Sequence, residues 1–173
     1  MEQDTIYIQE IDSPIGTLTI GATSKGICML EFENENRMDN HLNDFKKNYS
    51  INRIETYTHL YNLQKQLEEY FNKTRTSFNL PIDLIGTSFQ IRVWNELLNI
   101  TYGKTRTYKE QALALDNLKG IRAVANANGQ NKIAIIIPCH RVIGSNGSLT
   151  GFGGGLWRKQ FLLELESKQI SLF

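Results

Sequence analysis

The sequence predicts an α+β protein in two modules: an N-terminal antiparallel β-meander with helices over residues 1–84, and a C-terminal helical module with a helix-turn-helix over residues 85–173. Three observations carry this expectation. β-Forming residues cluster in three short runs near the start, and apolar residues recur at helical spacing afterwards. The charge also changes sign near residue 84, with 13 acidic against 8 basic side chains in residues 1–84 and 5 against 11 in residues 85–173. The basic half is the candidate for binding a polyanion.

The three runs are Thr5 to Ile11, Gly16 to Ala22 and Ile27 to Phe32, broken by Ser13-Pro14-Ile15-Gly16 and by Ser24-Lys25-Gly26. From Asn36 to Asn72 the pattern reads as helical and polar, with Leu60, Leu63, Leu67 and Phe71 on one face. A segment rich in Thr, Ser and Asn, Thr74 to Gly86, marks the boundary. Thr87 then stands as N-cap of a helix whose apolar face is Phe89, Val93, Trp94 and Leu97.

After the turn at Tyr102-Gly103-Lys104-Thr105, a short helix is expected from Thr107 or Tyr108 through Leu115, and a second from about Gly120 to Asn128. That layout fits a helix-turn-helix, and equally an ordinary helical hairpin. The second helix offers alanines and one Arg122, with few side chains able to read base edges. If it meets DNA, it does so without strong sequence preference. A last helix is expected over Leu156 to Lys168.

No apolar run approaches the roughly 20 residues that span a bilayer, and MEQDTIYIQE lacks the regions of a secretory signal, so a soluble cytoplasmic chain with no membrane partner is expected. Two cysteines are too few for a disulfide framework. Cys28, within Gly26-Ile27-Cys28-Met29-Leu30, reads as a small buried hydrophobe.

Cys139 has different neighbours. Ile133 to Ile137 is a continuous apolar run expected to form a buried strand or extended segment, and Pro138-Cys139-His140-Arg141-Val142 follows at once. A thiol at the end of such a segment is held rigidly, and an adjacent imidazole and guanidinium favour the thiolate. Consecutive side chains of an extended chain diverge, so a water between Cys139 and His140 is more plausible than direct contact. A carboxylate partner for the imidazole is expected, and Glu164 and Glu166 are both within reach in sequence. The loop Gly144 to Gly155, with six glycines, could bring its backbone amides against a flat ligand, and does not match a phosphate-binding loop.

Taken together, Pro138-Cys139-His140-Arg141-Val142-Ile143-Gly144 and the loop closing on Gly154-Gly155-Leu156 resemble the O6-alkylguanine-DNA alkyltransferases, also called methylated-DNA–protein-cysteine methyltransferases. The resemblance extends to Gly86-Thr87-Ser88-Phe89-Gln90 with Val93-Trp94, to Tyr102-Gly103 through Tyr108, to Arg122-Ala123-Val124, to Asn131, and to Leu162-Leu163-Glu164-Leu165-Glu166. It covers about residues 86 to 166 and implies a ribonuclease-H-like N-terminal module.

The resemblance implies DNA repair by direct reversal: a flipped O6-alkylguanine, with O4-alkylthymine as an alternative substrate, gives its alkyl group irreversibly to Cys139. It assigns Arg122 to the space left by the extruded nucleotide, with Ala123 and Ala127 against the DNA. Tyr108 assists flipping and donates a hydrogen bond to the guanine. Glu166 rather than Glu164 joins His140 and a water in a relay to the thiol, and Asn131 braces the turn before the active site. Val142, Phe152, Gly153 and Gly154 line the alkylguanine pocket. A monomer acting on double-stranded DNA without cofactor or metal is expected.

Lys132 stands where a proline commonly follows the asparagine, Phe152 where tyrosine is frequent, and Trp157 where a smaller or polar residue is usual. A lesion sensor of this kind would lack the reactive cysteine. A helix-turn-helix regulator would not need one, and a cysteine hydrolase would need an oxyanion hole that nothing in the sequence indicates.

Overall fold

The computed structural model describes residues 4–167. Strands β1 (Thr5–Ile11), β2 (Leu18–Ala22) and β3 (Ile27–Phe32) form the expected antiparallel meander. Helix α1 (Glu35–Phe45) then crosses over to β4 (Ser50–Arg53), which lies parallel to β1 at the other edge and gives the order β3-β2-β1-β4. The helical reading of Asn36 to Asn72 is therefore corrected: a strand divides it into α1 and α2 (Thr58–Phe71). β4 has four residues, mostly exposed, so it carries almost no alternation for a sequence pattern to reveal.

Every residue of β2 and β3 is buried, because α2 and the C-terminal module cover one face of the sheet and α1 helps cover the other. α2 contributes Leu60, Leu63, Leu67 and Tyr70 to the core; the expected Phe71 is only partly buried. One continuous apolar cluster runs from Ile20 and Leu30 through Trp94 to Ile137 and Leu162, so the two modules share a core. A smaller cluster of Ile6, Ile8, Cys28, Met29 and Phe45 fills the opposite side.

The outer edge of β3 is closed by main-chain pairing with two later segments, one at the end of the N-terminal module and one in the C-terminal module. Ile27 N donates to Pro81 O and Asp83 N to Ile27 O, while Leu30 N donates to Lys132 O and Ala134 N to Leu30 O. An edge that would otherwise be open to aggregation instead fixes the chain just before Cys139.

Helix α3 (Ser88–Leu97) starts at a capping box in which Thr87 Oγ1 accepts from Gln90 N and Gln90 Oε1 accepts from Thr87 N. β5 (Arg106–Thr107) leads into α4 (Tyr108–Ala114), capped in the same way by Thr107 and Glu110. A 3-10 turn over Leu118–Gly120 precedes α5 (Ile121–Gly129), so the helix-turn-helix layout is present. Gln111 and Asn128 exchange two buried amide hydrogen bonds at 2.8 and 2.6 Å, and Trp94 Nε1 donates to Ala127 O at 2.9 Å. These contacts fix the angle between α4 and α5 and brace both on α3.

The expected strand at Ile133 to Ile137 is not formed. The segment is buried throughout but makes a single bridge at Ile133 and then a turn, with Ile136 N donating to Ala134 O. Ile135 takes φ +69°, which a β-branched side chain rarely adopts. An apolar run buried on all sides reads the same whether extended or coiled, so its pattern could not separate the two. Cys139–Arg141 forms a 3-10 turn, β6 (Val142–Ile143) pairs parallel with β5, and α6 (Leu156–Glu166) closes the described chain. The last helix was expected to reach Lys168 but stops at Glu166, with Ser167 extended as its cap, and Lys168 itself lies outside the described residues. Among the described residues no helix is long and apolar enough to cross a membrane.

Candidate active site

Cys139 is partly buried at the start of its turn, with its amide donating to Ile137 O. Asn131 organises the approach to it. Asn131 Oδ1 accepts from Ile133 N at 3.0 Å, while Nδ2 donates to Ile137 O at 2.8 Å and lies 3.2 Å from Cys139 Sγ. Burial pushes the Cys139 thiol above its ordinary value, and the Asn131 amide acts against that. The cations that favour the thiolate are Arg37 and Lys159, with the Glu31 carboxylate opposing them.

The His140 side chain is buried in the core. Its Nε2 lies 2.8 Å from Glu166 Oε1, and both side chains are fully buried. Glu164 is exposed and accepts from Gln160, so the geometry selects Glu166 from the two candidates. His140 Nδ1 is buried and has no protein hydrogen-bond partner. Burial pushes the imidazole below its ordinary value, partly offset by Glu166. Burial alone would raise the Glu166 carboxyl, but hydrogen bonds from His140 and Arg141 hold it well below the usual carboxylate range.

Arg141 was expected to favour the thiolate and instead serves Glu166. Its Nε donates to Oε2 at 2.8 Å, its Nη2 to Oε1 at 2.9 Å, and its Nη1 to Ile100 O. Tyr70, from α2 of the other module, donates to Glu166 Oε1 at 2.7 Å. The carboxylate is thereby held in one orientation by three side chains. Sequence reading missed Tyr70, whose partner lies 96 residues away.

The Gly-rich loop faces this centre. Tyr108 Oη donates to Thr150 O at 2.8 Å, and Lys159 Nζ donates to Thr150 O at 2.9 Å and to Val142 O. Lys159 is fully buried, and burial lowers its ammonium to about 8, with Cys139 acting in the other direction. Phe152 packs edge-on against Phe32, ring centres 5.7 Å apart. A Cβ at Gly154 would come within 2.4 Å of the buried Phe32 ring, so that position requires glycine for close approach, and one at Gly153 would come within 2.4 Å of the Arg37 guanidinium and displace it. Val142 is buried beneath the loop.

Arg37 was not foreseen. Its Nε pairs with the buried Glu31 at 2.7 Å, its Nη2 donates to Asn131 O at 2.9 Å, and its Nη1 donates to Gly129 O. His41 Nε2 lies 3.0 Å from the same Glu31 carboxylate. An arginine in a polar helix gives no local signal for contacts more than 90 residues away.

On α5, Arg122, Ala123 and Asn126 are exposed. Ala127 is 2% exposed and packs toward α3, so its expected place against DNA is corrected: it belongs to the buried face of the helix. The period of a nine-residue helix built largely of small side chains does not reveal which face turns inward. Cys28 is buried as expected.

Comparison with known proteins gives the same picture for both modules. The family model for the ribonuclease-like domain of 6-O-methylguanine DNA methyltransferase matches residues 6–84, and the model for its DNA-binding domain matches residues 88–168. A methylated-DNA–protein-cysteine methyltransferase of Methanosarcina barkeri is 42% identical over 166 residues, covering 95% of this chain and 99% of that protein. One of Mycobacterium bovis is 44% identical over 167 residues, covering 95% and 94%. The crystal structure of Mycobacterium tuberculosis O6-methylguanine methyltransferase superposes with TM-score 0.78 at 39% identity, covering 97% of this chain and 96% of that one. The Mycobacterium tuberculosis protein in complex with DNA superposes with TM-score 0.77 at 42% identity, covering 94% and 92%. With both models matched across nearly the whole length, the chain belongs to the 6-O-methylguanine DNA methyltransferase family.

Proposed function

We propose that this chain repairs DNA by direct reversal, moving an alkyl group from O6 of guanine to Cys139 in one irreversible step. The observation that carries the reading is the buried Glu166–His140 pair, with His140 next in the chain to a cysteine whose sulfur meets the Asn131 amide. Because burial raises the thiol, the free thiolate is scarce near neutral pH and needs a base close by. His140, its far nitrogen engaged by Glu166, takes the thiol proton at Nδ1 through a bridging water. The sulfur then attacks the alkyl carbon, the carbon–oxygen bond breaks, and the electron pair stays on the purine. Tyr108 exchanges its bond to Thr150 O for one to the base and supplies the proton.

The target base reaches the sulfur by leaving the stack. Arg122, exposed near the start of α5, fills the gap it leaves, and the small Ala123 lets the helix approach closely. With few groups to read base edges on α5, binding rests on phosphate contacts and carries little sequence preference. Val142, Phe152, Gly153 and Gly154 hold the alkylguanine. Division into modules near residue 84, action as a monomer and a cytoplasmic location belong to the same proposal.

Mass mapping of peptides after exposure to duplex DNA containing O6-methylguanine tests this reading. The expected result is one added methyl group on the peptide carrying Cys139, and a Cys139→Ala protein that binds the lesion without being modified. Methylation elsewhere, or none, rejects it.

A further inference from the structure

Asn131 can meet the Cys139 sulfur only if the turn that carries it is held in place. That turn receives its support from the N-terminal module. Arg37 holds the carbonyls of Gly129 and Asn131, and Leu30 N donates to Lys132 O. The remaining tie is the Lys132 side chain, which crosses back to the N-terminal module. Its Nζ donates to Asp44 Oδ2 on α1 and to Ile85 O at 3.0 Å, and it lies 5.0 Å from the centre of the Phe45 ring.

Lys132 is 6% exposed, which is unusual for a lysine. An ammonium this deep is retained only with its partners in place, and the Asp44 carboxyl responds by falling below its ordinary value. A lysine leaves the backbone of the turn without the fixed φ that a ring would impose, so rigidity at this position comes from the side chain's anchor.

We propose that Lys132 is a positioning residue for alkyl transfer: by tying the turn after Asn131 to Asp44 and to the Ile85 carbonyl, it keeps the Asn131 amide on the Cys139 sulfur. The N-terminal module thereby sets the reactivity of a nucleophile it does not carry. This rests on the transfer reaction given above, and the test separates the two. The groups that act on the sulfur are the Asn131 amide, the Arg37 and Lys159 cations, the Glu31 carboxylate and the half-buried Tyr108 ring. Losing the Lys132 tie weakens the first of these and leaves the cations in place.

The experiment uses the full chain with Lys132→Met, Lys132→Arg, the milder Asp44→Asn, and Asn131→Ala alone and combined with Lys132→Met. Two rates are followed across pH: transfer from a free O6-alkylguanine base, and carbamidomethylation of Cys139 by iodoacetamide. In Lys132→Met both rates are expected to fall roughly three- to tenfold, as for a weakened hydrogen bond to a charged group. Their rising limbs move to higher pH. Lys132→Arg recovers most of the loss, Asp44→Asn lies between, and Lys132→Met adds little to Asn131→Ala. A Lys132→Met or Asp44→Asn protein with unchanged iodoacetamide rate and pH profile, whatever its melting temperature, overturns the proposal. So does a full additive loss in the double variant. Absence of transfer in the unaltered protein would reject the reaction, while the iodoacetamide profiles would still decide the role of Lys132.

Discussion

The Nε2 of His140 and the Oε1 of Glu166 lie 2.8 Å apart inside a core that excludes solvent from both, and the second carboxylate oxygen is taken by Arg141. A buried carboxylate with an imidazole and a guanidinium on it is stable as a set and costly to break. Removing one member leaves another charge without a partner.

Glu166→Gln is expected to slow transfer to a free alkylguanine base by at least about tenfold and to lower stability by about 3 kcal/mol, since Arg141 loses its carboxylate. Glu164→Gln, at an exposed site, changes stability by less than about 0.5 kcal/mol and leaves the rate alone. Single-turnover rates and denaturant midpoints check both. Equal effects at the two positions would remove Glu166 from its role.

Acid should unfold the protein in two stages. His140 has a lowered folded value, so stability is lost as pH falls below about 6.5, where the unfolded imidazole takes a proton that the folded one resists. Glu166 also has a lowered folded value, so its contribution is complete above about 4.3 and declines as pH drops below that. Denaturant unfolding between pH 8 and 3 reads both stages, and the lower one should shrink in Glu166→Gln to what Asp44 and Glu110, whose carboxyls also lie below their ordinary values, still contribute.

Cys28 behaves in the opposite sense. Burial and the nearby Asp83 push its thiol up to about 12, so stability is lost as pH rises above about 8.5 while the unfolded thiol ionises. Cys28→Ala should flatten that alkaline loss. In the folded protein at pH 8, thiol reagents should modify Cys139 and spare Cys28, and rapid labelling of both would contradict the burial argument.

Arg122→Ala should weaken repair of duplex DNA by at least about tenfold while leaving the free base almost unaffected, because a free base has no stack to leave. An equal loss on both substrates would place Arg122 in the fold or the pocket.

Much of this site can be read from the chain because its signals are local. Pro138-Cys139-His140 after a buried run marks the nucleophile, and Thr87 with Gln90 marks the start of α3. The choice of Glu166 over Glu164 came from resemblance and agrees with the burial of one and the exposure of the other. What stayed hidden is of two kinds. β4 and the buried face of α5 are too short, or too uniform in side-chain size, to show a period. Tyr70, Arg37 and Lys132 act across the modules, through contacts 96, 94 and 88 residues apart, which no window along the sequence can register.

The most direct test of the transfer mechanism is stoichiometry. An alkyl group on Cys139 is a thioether and offers water no carbonyl to attack, so the modified protein has no route back to its thiol. A fixed amount of protein titrated with excess O6-methylguanine duplex should reach a plateau at about one methyl group per molecule, all of it on Cys139. Continued release of repaired DNA beyond that ratio, with Cys139 remaining a free thiol, would contradict the account.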